Sequence, residues 1–157
     1  MYDFDGVLTD NRVWIDQNGI ESVACNRSDG WWINEIRILG IKQVILSTES
    51  NPVVGVRAAK LELPCLQGQK NKREGLEKLL QTYLVTADRT CYVGNDINDL
   101  ECLKMVGFPF APNDAHPKIL ALAHYVIAER GGYGIVRHLY DWIQENNYTL
   151  KLLLRDE

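Results

Sequence analysis

The sequence contains no long apolar run and no cluster of basic residues. No stretch approaches the roughly 20 apolar residues that a membrane-spanning helix needs. With 17 Lys and Arg against 21 Asp and Glu, the formal net charge is −4, so we expect neither a nucleic-acid partner nor a membrane partner. An acidic chain attracts a phosphorylated substrate poorly, and such a substrate would need a local cation.

The chain also lacks any C-x-x-C pair. Its four cysteines are Cys25, Cys65, Cys91 and Cys102, and their spacing does not favour a zinc site. No signal peptide is visible in the sequence. We therefore expect free thiols in a reducing compartment, the cytoplasm.

Apolar runs rich in β-branched residues alternate with helical patterns along the 157 residues. This alternation predicts an α/β fold with a mainly parallel sheet. The length and the hydrophobic content of 46% suit one domain, which we place at residues 1–147. A C-terminal tail at 148–157 mixes leucines with charges.

The first predicted strand is unusually short. Only Met1 and Tyr2 precede Asp3, whereas strands usually run about five or six residues. Either the sheet tolerates a clipped first strand, or the polypeptide is cut from a longer one. A strand this short is expected to support Asp3 loosely. The other predicted parallel strands lie at 42–47, 64–66, 90–93, 107–110 and 125–127.

A projecting hairpin is predicted after the first strand, because Asn18-Gly19 separates two strand-like runs. Ser28 is expected to cap the helix that follows. The further predicted helices lie at 52–61, at 73–83, after Asp99, at 117–123, and from the glycine-rich loop 129–134 to about residue 145.

Two carboxylates stand where the first strand ends. Asp3 and Asp5 are two residues apart, which puts both on one face of a strand. Taken alone, Asp-x-Asp-Gly is also compatible with a plain polar turn. If both carboxylates reach one cavity, a divalent cation best offsets their repulsion, and oxygen ligands suit Mg²⁺ more than Mn²⁺.

Polar residues at the ends of two further predicted strands favour a site over a plain turn. These residues are Ser47, Thr48, Asn95, Asp96 and Asp99. In an open parallel sheet, ligands bind beyond the carboxyl ends of the strands. Lys72, at the start of a helix, would bring a positive charge to the same crevice. A nucleophile, an acid/base, hydroxyl donors and a cation together indicate phosphoryl transfer.

With these residues in this order, the sequence resembles the haloacid dehalogenase superfamily of phosphohydrolases. The resemblance implies a Rossmann-like three-layer sandwich and Mg²⁺ as the cofactor. It also implies that Asp3 is the nucleophile, which forms an aspartyl-phosphate, and that Asp5 is the general acid/base, whose backbone carbonyl meets the metal. Ser47 then corresponds to the phosphate-binding hydroxyl, and Lys72 to the lysine of the family.

The resemblance also assigns metal ligands and substrate contacts. The implied metal-binding residues are Asp3, Asp5, Asn95 and Asp96. The implied substrate-binding residues are Gly6, Thr48, Glu49 and Arg137. A solvated loop glutamate is nearly as compatible with Glu49, and a charge on the helix surface is equally compatible with Arg137.

Within the superfamily, the sequence looks like the capless branch, because it has Asp-Gly-Val-Leu-Thr-Asp at 5–10, the early hairpin, and Gly131-Gly132-x-Gly134-x-x-Arg137. The branch includes 3-deoxy-octulosonate 8-phosphate phosphatases and nonulosonate 9-phosphate phosphatases. It also includes the phosphatase-like domain of CMP-sialic acid synthetases, which residues 94–103 resemble most. The resemblance implies a homotetramer, in which a neighbour's C-terminal segment closes each site.

The fourth motif of the family usually begins with Asp, and this chain has Asn95 there. An amide oxygen still ligates magnesium but brings no charge, so lower metal affinity and turnover are expected. Asp96 would compensate only if the loop shifts. Asp99 is expected to orient the loop or Lys72, and His116 to lead into a helix.

The function implied is a magnesium-dependent phosphomonoester hydrolase that acts on a small phosphorylated 2-keto-3-deoxy sugar acid. The substrate would be an octulosonate 8-phosphate or a nonulosonate 9-phosphate. The alternative is a tetramerising domain with little or no activity, associated with an N-acylneuraminate cytidylyltransferase. Asn95 favours the alternative, whereas the presence of Asp3, Asp5 and Lys72 favours the enzyme.

Overall fold

The structure, a computed structural model, describes residues 1–146, and the predicted tail at 148–157 lies outside them. In chain order, the strands are β1 (Thr9–Ile15), β2 (Glu21–Cys25), β3 (Ile45–Leu46), β4 (Cys65–Leu66), β5 (Cys91–Val93), β6 (Phe108–Pro112) and β7 (Tyr125–Ile127). The helices are α1 (Asp29–Ile38), α2 (Val53–Lys60), α3 (Lys72–Tyr83), α4 (Leu100–Met105), α5 (Pro117–Leu120) and α6 (Ile135–Glu145).

A parallel sheet forms the centre of the molecule. Its spatial order is β4, β3, a bridge at Tyr2, β5, β6 and β7. All the pairings within this sheet are parallel. The predicted α/β class with a mainly parallel sheet is therefore confirmed.

The short segment around Tyr2 is held on both sides. Hydrogen bonds of 3.0 and 2.9 Å join the backbone of Tyr2 to the β3 side. On the β5 side, the Asp3 N–H donates to the Val93 carbonyl at 2.9 Å, and the Val93 N–H donates to the Met1 carbonyl at 3.0 Å. The expectation that a clipped strand supports Asp3 loosely is therefore wrong, since the central position of the segment compensates for its length.

Helices cover both faces of this sheet, because neighbouring strand residues point to opposite sides. The side chains of Ile45, Val93 and Phe110 pack in one cluster with α1, α2 and α6. Those of Leu46, Tyr92 and Ala111 pack in a second cluster with α3, α4 and α5. The result is a three-layer sandwich, and the described residues include no cap domain.

The hairpin of β1 and β2 is antiparallel and separate from the parallel sheet. The carboxylate of Asp16 accepts hydrogen bonds from the N–H groups of Asn18 and Ile20 at 2.8 and 2.9 Å, which closes the predicted turn. Gly19 takes a φ of 78°, which glycine adopts without steric strain. The hairpin exposes four large apolar side chains: Val13, Trp14, Ile15 and Ile20.

One detail at the start of α1 differs from the sequence-based predictions. Ser28 precedes α1, but its hydroxyl lies 2.8 Å from Asn26 Oδ1 and makes no capping hydrogen bond. All four cysteines are free, as expected. Within residues 1–146, no helix is both long and apolar enough to cross a membrane.

Candidate active site

Asp3 lies at the carboxyl edge of the sheet, directly after the central segment. It is only 4% exposed, and the N–H of Phe4 donates to Asp3 Oδ1 at 2.6 Å. Lys72 Nζ lies 2.7 Å from the same oxygen. The structure thus brings together two residues that the sequence separates by almost half of the chain.

Lys72 joins Asp3 to a second buried carboxylate. Its Nζ also lies 2.7 Å from Asp99 Oδ1, and the Lys72 side chain is fully buried. Lys72 stands in the first turn of α3, and this helix starts there because the Asn71 side chain accepts a hydrogen bond from the Glu74 N–H. One cation is therefore shared by two carboxylates away from solvent.

Burial and the neighbouring charges together set the pKa values of this cluster. Burial raises the pKa of Asp3 well above its ordinary value, with the Asp99 carboxylate adding to the rise and Lys72 opposing it. Burial alone would lower the pKa of Lys72, but Asp3 and Asp99 together outweigh it and raise that pKa. The cluster carries one more carboxylate than it has cations, and a further cation would complete it.

Asp99 orients both Lys72 and the loop before it, as the sequence predicts. Its Oδ2 accepts hydrogen bonds from the N–H groups of Asn95 and Asp96 at 2.9 and 3.2 Å. Its Oδ1 also accepts from the Tyr92 hydroxyl at 2.7 Å. Sequence reasoning missed Tyr92, although a tyrosine in a buried strand needs a partner for its hydroxyl.

The side chain of Asn95 reaches the free oxygen of Asp3. One terminal atom of its amide lies 2.9 Å from the Asp5 carbonyl oxygen and 3.2 Å from Asp3 Oδ2. If that atom is nitrogen, it donates to both oxygens. If it is oxygen, its separations from the Asp5 carbonyl oxygen and from Asp3 Oδ2 are close to the roughly 3 Å expected between adjacent ligands of Mg²⁺, whose Mg–O bonds are about 2.1 Å.

These three groups therefore fit the magnesium ion that the sequence implies. No cluster of three or more His, Cys, Asp or Glu side chains in residues 1–146 is arranged to hold a metal. A metal here would rest on one carboxylate, one backbone carbonyl and one amide oxygen. Since Mg²⁺ usually keeps several water ligands, such a small protein set is sufficient.

Asp96, another predicted metal ligand, is exposed, and its carboxylate caps a helical turn instead. Its Oδ1 accepts a hydrogen bond from the Ile97 N–H at 2.7 Å and caps a short 3₁₀ turn at Ile97–Asp99. Contact between Asp96 and a metal would require this loop to move.

Asp5 lies nearer to solvent than Asp3. The hydroxyl of Thr9 donates to Asp5 Oδ1 at 3.3 Å and accepts from the Gly6 N–H at 3.2 Å. Burial raises the pKa of Asp5, the Thr9 hydrogen bond opposes the rise, and the Glu49 carboxylate adds to it. Thr9 is a further residue that the sequence analysis missed.

Gly6 leaves room for Asn95. Its φ is 77°, and a Cβ at this position would lie 2.0 Å from Asn95 Nδ2. Gly131 of the glycine-rich loop lies against Gly6 in turn, since a Cβ there would lie 2.0 Å from the Gly6 carbonyl oxygen. Glycine at position 6 thus allows the Asn95 side chain to approach the loop after Asp5, and the substrate contact that the resemblance implies stays a prediction.

The loop after β3 brings three predicted residues to the same edge. Ser47 is buried, and its Oγ accepts from the Glu49 N–H at 3.1 Å. The hydroxyl of Thr48 lies 3.4 Å from Asn98 Nδ2. Glu49 Oε1 accepts from the N–H groups of Ser50 and Asn51, so this half-buried carboxylate is not simply solvated.

The hairpin is tied to this loop by a contact that sequence reasoning missed. Asn51 Nδ2 donates to Glu21 Oε2 of β2 at 2.9 Å. The Glu21 carboxylate lies close enough to Asp5 to contribute to its raised pKa. The rim of the site is therefore acidic on the hairpin side.

Arg137 lies on the surface of α6. Its Nε is 3.7 Å from Asp141 Oδ2, and its guanidinium is 5.9 Å from the centre of the Trp32 ring. Within residues 1–146, no hydrogen bond or ion pair joins Arg137 to the buried carboxylates, so its substrate-binding role stays a prediction. His116 caps α5, as expected, through its Nδ1, which accepts from the Lys118 N–H.

A parallel α/β sandwich with a buried carboxylate paired to a buried lysine beyond the ends of its strands is the arrangement expected of a hydrolase of the family that the sequence resembles. A family model of haloacid dehalogenase-like hydrolases matches residues 62–139. The chain is also 35% identical over 140 residues to the 3-deoxy-D-manno-octulosonate 8-phosphate phosphatase of Escherichia coli K12, covering 88% of this chain and 74% of that protein.

Solved structures agree. The 3-deoxy-D-manno-octulosonate 8-phosphate phosphatase of Yersinia pestis superposes with a TM-score of 0.89 at 32% identity, covering 96% of this chain and 82% of that one. The corresponding enzyme of Moraxella catarrhalis gives 0.89 at 25% identity, covering 98% and 88%. The chain belongs to the haloacid dehalogenase-like hydrolases and is similar to their octulosonate-phosphatase group.

Proposed function

We propose that this protein is a magnesium-dependent phosphomonoester hydrolase whose substrate is a phosphorylated 2-keto-3-deoxy sugar acid. The observation that carries the proposal is the buried Asp3, with one oxygen on Lys72 and the other facing the Asn95 amide, which also lies next to the Asp5 carbonyl. The substrate class is taken from relatives whose names specify 3-deoxy-D-manno-octulosonate 8-phosphate.

In this mechanism, the Asp3 carboxylate attacks phosphorus, and the bond from phosphorus to the sugar oxygen breaks. Asp5 gives its proton to the leaving oxygen, and burial raises the pKa of Asp5, which is the direction that a general acid needs. Water then loses a proton to Asp5 and attacks the phosphorus of the aspartyl-phosphate, which frees Asp3 and inorganic phosphate.

The other residues hold the phosphoryl group. Lys72 and the hydroxyl of Ser47 would donate hydrogen bonds to its oxygens, and Asp99 keeps Lys72 in place. Magnesium, held by Asp3, the Asp5 carbonyl and Asn95, would supply positive charge against the phosphoryl oxygens. The related Moraxella catarrhalis structure contains magnesium, phosphate and the sugar acid, whereas one from Haemophilus influenzae contains cobalt, so other divalent ions also belong in the test.

A second candidate is a tetramerising domain of low activity associated with a cytidylyltransferase. Two observations favour it. Asn95 supplies no charge to a metal, and the hairpin exposes the large apolar side chains of Val13, Trp14, Ile15 and Ile20. Contact between hairpins of several copies would bury some of these side chains.

The deciding experiment measures phosphate release from a panel of octulosonate and nonulosonate phosphates, with magnesium and with a chelator. We expect magnesium-dependent release from one of them. Asp3→Asn should lower turnover by roughly 10³-fold or more, because it removes the nucleophile. A folded protein that is inactive on the whole panel would contradict the hydrolase and leave the assembly role, whereas an Asp3→Asn variant with full turnover would contradict the role of Asp3 as the nucleophile.

A further inference from the structure

A third buried carboxylate lies outside the site. Asp29 opens α1 and is only 1% exposed. Its Oδ1 accepts a long hydrogen bond of 3.5 Å from the N–H of Val136, in the first turn of α6. Its Oδ2 is buried without a hydrogen-bond partner among the described residues. A buried oxygen without a hydrogen-bond partner lowers the stability of the fold, so its presence needs an explanation.

Some neighbours of Asp29 stabilise its ionised form, whereas burial destabilises that form. Burial raises its pKa to about 6, while the Val136 N–H and the Arg57 guanidinium oppose the rise. Arg57 comes from α2, where its Nη2 donates to the Asn26 carbonyl. Tyr2 of the central segment and Cys25 of β2 also lie within electrostatic reach. Ionised Asp29 therefore lowers the stability of the fold.

Short contacts lead from α6 to the catalytic loop. Gly132, three residues before the helix, donates its N–H to the Val7 carbonyl at 2.9 Å. Gly131 lies against the Gly6 carbonyl, and Gly6 lies against the Asn95 amide. A shift at the start of α6 would thus reach the groups that face Asp3.

We propose that Asp29 is a positioning residue, whose buried carboxylate anchors the N-terminus of α6 and so holds the glycine-rich loop Gly131–Gly134 against the catalytic loop Gly6–Thr9. A carboxylate accepts the N–H groups at a helix N-terminus more strongly than a neutral group does. Its catalytic consequence rests on the proposed function, whereas the anchoring itself does not.

Amide hydrogen exchange tests the anchoring without any substrate. Asp29→Ala should lower the protection of residues 131–137 and 6–9 by about tenfold, the loss expected for a hydrogen bond to a charged group. Glu35→Ala, which removes a half-buried carboxylate from the same helix, is the control and should leave these segments unchanged. Unchanged protection in a folded Asp29→Ala variant would overturn the proposal.

Asp29→Asn gives a second test if Asp29→Ala does not fold. Asparagine keeps the acceptor without the charge, so protection of the α6 start should fall about fivefold at pH 7.5. In the wild type, protection should fall similarly as the pH drops through about 6, and in Asp29→Asn it should not change over that range. The same pH response in both proteins would overturn the proposal.

Thermal stability separates this role from a purely structural one. Because the folded-state pKa is raised, protonated Asp29 stabilises the fold, and this stability is lost as the pH rises through about 6. Asp29→Asn should therefore melt higher than the wild type above pH 6, with the difference shrinking towards pH 4. A lower melting temperature across that range would mean that Asp29 is only a structural contact.

Activity provides the last measurement. If the wild type hydrolyses a sugar-acid phosphate, Asp29→Asn should lower kcat several-fold despite its higher melting temperature, and Glu35→Ala should not. An unchanged kcat would contradict the catalytic consequence while the exchange data still decide the anchoring. If the wild type is inactive, the proposed function is contradicted, and the exchange data still test the anchoring by Asp29.

Discussion

The two edges of the central sheet differ sharply in polarity. At the carboxyl edge, Asp3, Lys72 and Asp99 are buried at ion-pair distances of 2.7 Å. At the amino edge lies a groove of about 750 Å³ whose lining is mainly apolar and includes Ile36, Val44, Tyr83, Phe108 and Trp142. The buried ion pairs and the large groove therefore lie at opposite edges of the sheet.

The physical reason is the direction of the chain. In a parallel α/β fold, the helix N-termini gather at the carboxyl edge, where their N–H groups favour anions. At the other edge, the lining of the groove is mainly apolar, and burying a charge against it would be costly. The same sheet thus keeps carboxylates at one edge and disfavours a charge at the other.

Removing the lysine at the carboxyl edge should have the largest effect on stability. Lys72→Met leaves Asp3 and Asp99 without their shared cation, and we expect a loss of about 3–5 kcal/mol in the free energy of unfolding. Turnover should be abolished, and urea denaturation gives the free energy.

Lys42 at the amino edge provides the matched control. Its Nζ lies 5.8 Å from the centre of the Tyr83 ring, so Lys42→Met should cost less than about 1 kcal/mol and leave activity unchanged. Equal losses from the two lysine variants would show that the edges do not differ as described.

A pair of glycines sharpens the comparison further. Gly6 and Gly40 have φ angles of 77° and 80°, so alanine at either position should cost about 1–2 kcal/mol in backbone strain. At Gly6 the new Cβ would meet the Asn95 side chain, whereas at Gly40 no atom of the residues that the structure describes lies within 4 Å of it. Gly6→Ala should therefore weaken magnesium activation, measured as the metal concentration at half-maximal rate. An identical metal response in both variants would argue against Asn95 as a ligand.

Asn95→Asp is expected to have the smallest effect on stability and is specific to the metal. An added carboxylate should lower the melting temperature in chelator, because it faces Asp3, and tighten magnesium binding roughly tenfold through its charge. Calorimetric titration with magnesium measures the affinity. If the variant and the wild type bind magnesium equally, the metal does not lie between Asp3 and Asn95.

The order of strands and helices was predictable because each element has a clear period and ends in turn residues. The meeting of Asp3 with Lys72 was predictable as well, since strand ends and a helix start share one edge. The prediction that Ser28 caps α1 was wrong, because its hydroxyl donates a hydrogen bond to Asn26 Oδ1 instead. Sequence alone did not suggest the role of Asp29, because its partner Val136 lies more than 100 residues away.

The central claim is that Asp3 carries the phosphoryl group during turnover. The most direct measurement is mass spectrometry of the peptide Met1–Arg12 after acid quenching during steady turnover. We predict a phosphoryl adduct on this peptide that requires magnesium and is absent in Asp3→Asn. Phosphate release without any adduct, and at the same rate in Asp3→Asn, would contradict the account.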